Sequence, residues 1–303
     1  MSASRCWLSS VRDDGPHLFF RVSTQQGTVI GEVGMLRTLA CPFFRKAFGW
    51  CVPIGGLAGL IGLGGGEFRL PLLMHGIGFD AKSAVPLNLM ISLVTLSFAM
   101  ISRSGVVSLA AIVPHLPEVA GLATGGMASA VYGVRLVRKL SGVRLVQLVG
   151  LLLIVIGTLL LGEAAFPVQY ASPLPASVTA HLLSGVIIGA GIGLVSSVLG
   201  VAGGELLIPS LIFIYGADIR TAGSASILIS LGIVLTGLWR YWRSNSIPQG
   251  RGIVRITFAM SVGSIFGATL GGLAIAYAPV GLLKVFLGCV LIAAAAKTMA
   301  AHR

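Results

Sequence analysis

Gly-Leu-Gly-Gly-Gly-Glu-Phe-Arg-Leu-Pro occupies residues 62–71, and a related stretch, Gly-Val-Ala-Gly-Gly-Glu-Leu-Leu-Ile-Pro, occupies residues 200–209. The two align without a gap at an offset of 138 residues, and the similarity continues downstream as far as Ser92-Leu93 and Ser230-Leu231. The chain is therefore an internal duplication that centres on Gly-Gly-Glu between apolar runs. Repeats around interrupted hydrophobic segments are typical of secondary transporters, which hold the substrate at the repeat interface.

The composition indicates an integral membrane protein. Hydrophobic residues make up 55% of the chain, charged residues only 10%, and the mean hydropathy is +0.96. The seventeen residues of 145–161 carry no charge, which is typical of a transmembrane helix. We therefore expect an all-α membrane fold, with the lipid bilayer as a partner.

The net charge of +12 does not predict nucleic-acid binding, because the basic residues cluster in short tracts beside the apolar spans. Such clustering follows the positive-inside rule for membrane proteins. The tracts comprise Arg135, Arg138, Lys139 and Arg144, then Arg240, Arg243, Arg251 and Arg255. No nucleic-acid partner is expected.

The chain divides into four regions on composition. Residues 1–46 are polar and aperiodic and are predicted to form a disordered tail. Residues 47–162 form the first membrane repeat, 163–180 an external loop, and 181–303 the second membrane repeat.

Two apolar stretches, 68–79 and 206–217, are about a dozen residues long. At ~1.5 Å rise per residue, helices of that length cannot cross ~30 Å of hydrocarbon. They are predicted to be half-helices or re-entrant segments, shielded by protein or water. With five segments per half, every basic tract falls on one side of the membrane, so we expect the two repeats to be inverted.

The consecutive glycines are the first candidate for a substrate site. They break the helix and let a ligand approach bare backbone amides, and a helix that restarts after the break directs its N–H groups into the gap. The alternative is that these glycines only permit close packing. The predicted substrate-binding glycines are Gly64, Gly65, Gly66, Gly203 and Gly204.

The acidic residues of the motif, Glu67 and Glu205, are predicted to lie at membrane depth. Burial disfavours the charged form of a carboxyl group, so either residue could carry a coupling proton. A glutamate in the first turn of a helix could instead cap that helix. Both interpretations stay open.

Several polar residues near the breaks could complete a substrate shell. Arg69, whose counterpart is Leu207, could bind an anionic substrate. It could equally neutralise Glu67 or Glu205 in a structural pair, which is the preferred interpretation. Polar groups on the next helix of each half, Asn88, Ser224 and Ser226, could bind substrate or hydrogen-bond between helices.

At these residues the chain resembles the sulfite exporter TauE/SafE family. The resemblance is carried by residues 62–73 with Ala84-Val85 and Asn88-Leu89, and by residues 200–209 with Ala222-Gly223-Ser224. It covers about residues 48 to 300. It implies a multi-pass bacterial inner-membrane carrier of a small sulfur-containing anion, such as sulfite or an organosulfonate.

The expected function is a secondary transporter, an exporter by preference, driven by a proton gradient or by the membrane potential. The sequence has no GxxxxGK[ST] motif for ATP binding, and neither a cofactor nor a metal is expected. An anion channel is the alternative within the same class. A membrane-embedded enzyme lacks recognisable motifs, a scaffold subunit would not need duplicated broken helices, and homo-oligomer formation stays open.

Overall fold

The computed structural model describes residues 42–79, 81–107, 109–137, 177–248 and 250–300, with isolated positions between 151 and 164. These parts of the chain are helical and contain no strand. The α-helices are α1 (Pro42–Ile61), α2 (Gly66–Pro71), α3 (Ala81–Ser104), α4 (Leu116–Val137), α5 (Val178–Leu199), α6 (Gly204–Phe213), α7 (Ile219–Arg243), α8 (Arg251–Ala274) and α9 (Val280–Ala300). A π-helix, Leu72–Gly76, extends α2, and a 3-10 helix, Leu109–His115, precedes α4.

Within the described residues, four helices are long and apolar enough to cross a membrane. They are Ser83–Ser104, Val178–Ser197, Ile219–Arg243 and Gly252–Ala274. The apolar stretch 145–161 and most of the predicted loop 163–180 lie outside the described residues. The first helix begins at Pro42 rather than at residue 47, and the remainder of the predicted tail is outside the described residues.

In each half a long helix is followed by a glycine break and a short helix. The break after α1 places Gly62, Gly64 and Gly65 at positive φ, and the break after α5 does the same with Gly200 and Gly203. Glycine adopts these angles without the steric cost that a Cβ would bring. The two interruptions expected from the sequence are therefore present.

Each short helix doubles back beside the long helix that precedes it. Leu73, just after α2, packs in one cluster with Ala47 and Cys51 near the start of α1. In the second half, the Tyr215 hydroxyl after α6 lies 3.1 Å from Ser184 Oγ near the start of α5. Each pair forms a hairpin with its glycine break at the tip.

The prolines of the motif lie beyond the first turn of the short helices. Pro71 and Pro209 each occupy the sixth helical position. Because proline has no N–H, each leaves the carbonyl four residues earlier without its helical donor. Those carbonyls belong to Glu67 and Glu205. On the first half, the π-helix starts directly after Pro71, as is common where the regular ladder is interrupted.

The halves are joined by two extensive helix pairs, α1 with α8 and α4 with α5, and both pairs run parallel. Glycines let the backbones touch. A Cβ at Gly55 would lie 2.8 Å from Ser264 Cα, and one at Gly193 would lie 2.7 Å from Gly126 Cα. Residues 55 and 193 differ by the repeat offset, as do 126 and 264. The first helix of each half, α1 or α5, therefore packs on the fourth helix of the other half, α8 or α4.

The third helices of the two halves, α3 and α7, cross the centre in opposite directions. Arg103 at the end of α3 contacts Ser224 near the start of α7, whereas Leu89 near the start of α3 lies beside Gly237 near the end of α7. Both helices are largely buried within the described structure. They form the central layer against which both glycine breaks pack.

Candidate functional site

The two glycine breaks meet at the centre of the molecule. A Cβ added at Gly66 would lie 3.4 Å from Val201 Cα, and one added at Gly204 would lie 2.9 Å from Leu63 Cα. These contacts are reciprocal, because residue 63 corresponds to 201 and residue 66 to 204. Each break therefore fits into the other with no room for side chains. The close-packing role that the sequence left open accounts for this geometry.

Side chains from α3 and α7 bond to the backbone of the opposite break. Asn88 Nδ2 donates to Gly200 O at 2.8 Å, and Ser226 Oγ donates to Gly62 O at 3.3 Å. Asn88 and Ser226 occupy equivalent positions in the two repeats, so the same type of hydrogen bond forms once from each half. Asn88 Nδ2 also donates to Gly66 O at 3.1 Å and thereby joins the two breaks.

These hydrogen bonds satisfy backbone carbonyls that the helix breaks leave without a helical donor. A carbonyl removed from a helix and buried away from water must find another donor, and only side chains are at hand at membrane depth. Asn88 and Ser226 are fully buried. In this conformation both side chains donate hydrogen bonds to backbone carbonyls. Asn88 Oδ1 is buried and has no hydrogen-bond partner among the described residues.

Arg69 lies fully buried beneath the first break. Its Nη2 donates to Gly64 O, and its Nη1 reaches Ser92 Oγ at 3.5 Å. No carboxylate of the described residues lies within 4.0 Å of its guanidinium. The structural ion pair with Glu67 or Glu205 that we preferred is thus not formed, because the arginine turns to the break backbone instead.

A second buried arginine, Arg103, was not predicted. It is 1% exposed and makes hydrogen bonds in four directions. Its Nη1 donates to Gly59 O and Leu60 O, both at 3.1 Å, its Nη2 to Arg220 O at 2.9 Å, and its Nε to Ser224 Oγ at 3.1 Å.

The position of Arg103 explains its partners. Gly59 and Leu60 belong to the last turn of α1, where carbonyls have no helical donor and the helix dipole favours a cation. Ser224, predicted to bind substrate, is engaged in holding this arginine. From the sequence alone, an arginine that ends an apolar span suggests an interfacial anchor, and the repeat gives no hint because its counterpart is Tyr241.

The carboxylates of the two acidic residues of the motif, Glu67 and Glu205, lie in the interior of the described structure. Both carboxylate oxygens of Glu67 and Oε1 of Glu205 are out of contact with solvent and accept no hydrogen bond from another described residue. Glu205 is 5% exposed. The N-cap positions of the two short helices are the left-handed Gly65 and Gly203, which form no side-chain hydrogen bond.

A cleft of about 350 Å³ opens near the start of α7. The residues that line it are Val106, Val107, Asp218, Arg220, Thr221, Ile275 and Ala276. The backbone carbonyl of Arg220 is a hydrogen-bond acceptor for Arg103. Arg220 therefore contacts both the cleft and the buried Arg103.

The structure brings the sequence-predicted residues into one neighbourhood. The glycines of both breaks, Asn88, Ser226 and Arg69 share direct contacts, and Ser224 joins them through Arg103. Buried charges at membrane depth surrounding two broken helices are typical of a membrane transporter.

Comparison with known protein families identifies the transporter family. The family model of the sulfite exporter TauE/SafE matches residues 34–160 and 185–303. The chain belongs to the sulfite exporter TauE/SafE family, a family of membrane transporters, and the two matched segments correspond to its two halves. No curated protein and no solved structure matches the chain.

Proposed function

We propose that this protein is a secondary carrier that exports a small sulfur-containing anion, sulfite or an organosulfonate, across the inner membrane of a bacterial cell. The observation that carries the proposal is the pair of buried arginines. Arg69 and Arg103 both bond to the backbone around the first break, and no described carboxylate lies within 4.0 Å of either. Both guanidinium groups bond directly only to neutral acceptors, while the carboxylates of Glu67 and Asp218 lie farther away. A bound anion would offset part of the cost of burying these charges.

Arginine suits the proposed substrates. The planar guanidinium presents several N–H groups that match the oxygens of an oxyanion, with stronger bonds than neutral donors make. We propose that the predicted site residues, including Asn88 through its Nδ2 group and the amides at the breaks, meet the anion when the two breaks separate. The packed breaks then correspond to a conformation that is closed around the site.

We further propose that the two halves are inverted repeats and that the hairpin tips are re-entrant. The support is the reciprocal pattern of contacts, Asn88 with Gly200 and Ser226 with Gly62, together with the opposite directions of α3 and α7. Inverted repeats have two conformations of similar energy that open to opposite sides, which is the basis of alternating access.

The inversion predicts the membrane topology. Tags placed at residues 140 and 247 should both be accessible from the cytoplasm, whereas a tag at residue 170 should be accessible from outside. Cysteine labelling of whole cells with a membrane-impermeant reagent measures this. Residues 140 and 247 on opposite sides would contradict the inverted arrangement and favour parallel halves.

Transport in liposomes tests the proposed function. Purified protein in vesicles loaded with unlabelled sulfite should accumulate labelled sulfite by counterflow, and sulfonates, thiosulfate, sulfate and carboxylates should be compared as competitors. Counterflow requires a carrier that alternates between two faces. Uptake that follows the gradient without counterflow would indicate a channel, and no uptake of any of these anions would overturn the proposal.

The glutamates are proposed to carry the coupling proton, Glu205 in particular because its own half has Leu207 where the other has Arg69. Glu205→Gln keeps size and hydrogen bonding but cannot titrate. Uptake driven by a pH gradient should fall at least about tenfold, while counterflow persists. Glu67→Gln is the matched comparison, expected to have the smaller effect. Full gradient-driven uptake by Glu205→Gln would exclude this role.

A further inference from the structure

A buried acid–base pair joins α4 and α5, away from the glycine breaks. Glu118, in the first turn of α4, is 3% exposed, and its Oε1 lies 2.5 Å from Nδ1 of His181 in the first turns of α5. The titratable groups that face this pair from the neighbouring elements are His115, whose Nδ1 is 4.0 Å from the same carboxylate oxygen, and Tyr215.

The pair has unused capacity for hydrogen bonding. Glu118 Oε2 and His181 Nε2 are both buried and have no partner among the described residues. The short contact requires one proton between Oε1 and Nδ1, which leaves the pair with a net charge of −1. A further proton on Nε2 would make the imidazole cationic and the pair neutral, and a neutral pair is the less costly one to bury.

An acid–base pair is present at only one of the two equivalent helix pairs. Counting by the repeat offset, residue 118 corresponds to Ile256 and residue 181 to Phe43. The equivalent helix pair, α1 with α8, therefore has apolar residues at these positions. Packing of parallel helices does not need an acid–base pair here, so its presence on one side points to a use other than packing.

The pair also adjoins the second hairpin. The rings of His181 and Tyr215 have centroids 5.9 Å apart, and the Tyr215 hydroxyl hydrogen-bonds to Ser184 Oγ. Tyr215 follows α6, the short helix whose first turn contains Glu205. A change of charge at His181 therefore acts on Tyr215, which lies at the end of this hairpin away from the second glycine break.

We propose that Glu118 and His181 form a proton-binding site that takes up one proton at His181 Nε2. A proton from water bonds to the nitrogen lone pair, and the adjacent carboxylate stabilises the positive charge that results. On the topology proposed above, this end of α5 faces the outside, so the site would load protons that enter the cell while the anion leaves. That use of the proton rests on the proposed carrier function, but the binding of the proton does not.

The test is the protonation state of His181 in the full-length protein. With ¹⁵N-histidine-labelled protein in lipid nanodiscs at about pH 6, we expect a doubly protonated imidazole signal that His181→Gln removes. Glu118→Gln should reduce this signal, because it removes the carboxylate that hydrogen-bonds to His181 Nδ1. Glu118→Asp should keep it, and His115→Gln, the same type of change at a longer distance from the carboxylate, should leave it nearly unchanged.

The outcomes separate the two proposals. No doubly protonated signal assignable to His181 in the wild type overturns the proton site, and so does an undiminished signal in a folded Glu118→Gln protein. If Glu118→Gln does not fold, the comparison of wild type with His181→Gln still decides. If the signal behaves as expected but liposomes transport none of the anions, the carrier proposal fails while the proton site stands.

Discussion

Replacing Arg103 by methionine is expected to abolish anion counterflow and to lower thermal stability. Methionine fills a similar apolar volume but leaves Gly59 O and Leu60 O, in the last turn of α1, without a donor. Each buried acceptor left unsatisfied costs about 1–3 kcal/mol. A loss of even 3 kcal/mol corresponds to a fall in Tm of roughly 5 °C for a protein of 303 residues.

Two further variants separate charge from geometry at this position. Arg103→Lys keeps the charge, but a single ammonium cannot reach acceptors that lie in four directions, so counterflow should fall nearly as far. Arg255→Met is the matched control, because Arg255 is exposed on α8, and it should behave like the wild type. Wild-type counterflow and Tm in Arg103→Met would show that this arginine neither supports the break nor serves the anion.

The second large effect is expected from a single methyl group. Gly204→Ala places a Cβ 2.8 Å from Leu63 O and 2.9 Å from Leu63 Cα, which are backbone atoms that cannot rotate away. Gly204 is the first residue of α6 and is not among the glycines with positive φ, so alanine fits its own backbone conformation. The substitution therefore tests the contact between the two breaks and nothing else.

We expect Gly204→Ala to reduce counterflow at least about tenfold, since overpacking of this kind costs about 1–3 kcal/mol and would force the breaks apart. Insertion into the membrane should remain largely intact. Gly191→Ala is the matched control, because a Cβ at Gly191 on α5 would meet nothing within 4 Å. Equal activity of the two variants would show that close approach of the breaks is not needed for transport.

The site residues were predicted with uneven success, and the reason differs for each. Arg69 was placed correctly at the break, but its partner was predicted as a carboxylate, and the structure gives it the backbone. Arg103 was missed because an arginine at the end of an apolar span is usually an interfacial anchor. The Glu118–His181 pair was missed because its members are 63 residues apart and belong to different halves.

The sequence by itself determined the membrane class, the duplication and the position of both helix breaks. Each of these follows from local chemistry: apolar runs, a repeated motif, and glycines that no regular helix favours. Only the tertiary structure decided which donor forms a hydrogen bond with which buried acceptor. The partners of a buried carbonyl or guanidinium are chosen by distance across helices, and at membrane depth no water substitutes for a missing partner. The contacts between Asn88 and Gly200, and between Arg103 and the end of α1, therefore exist only once the two halves are packed together.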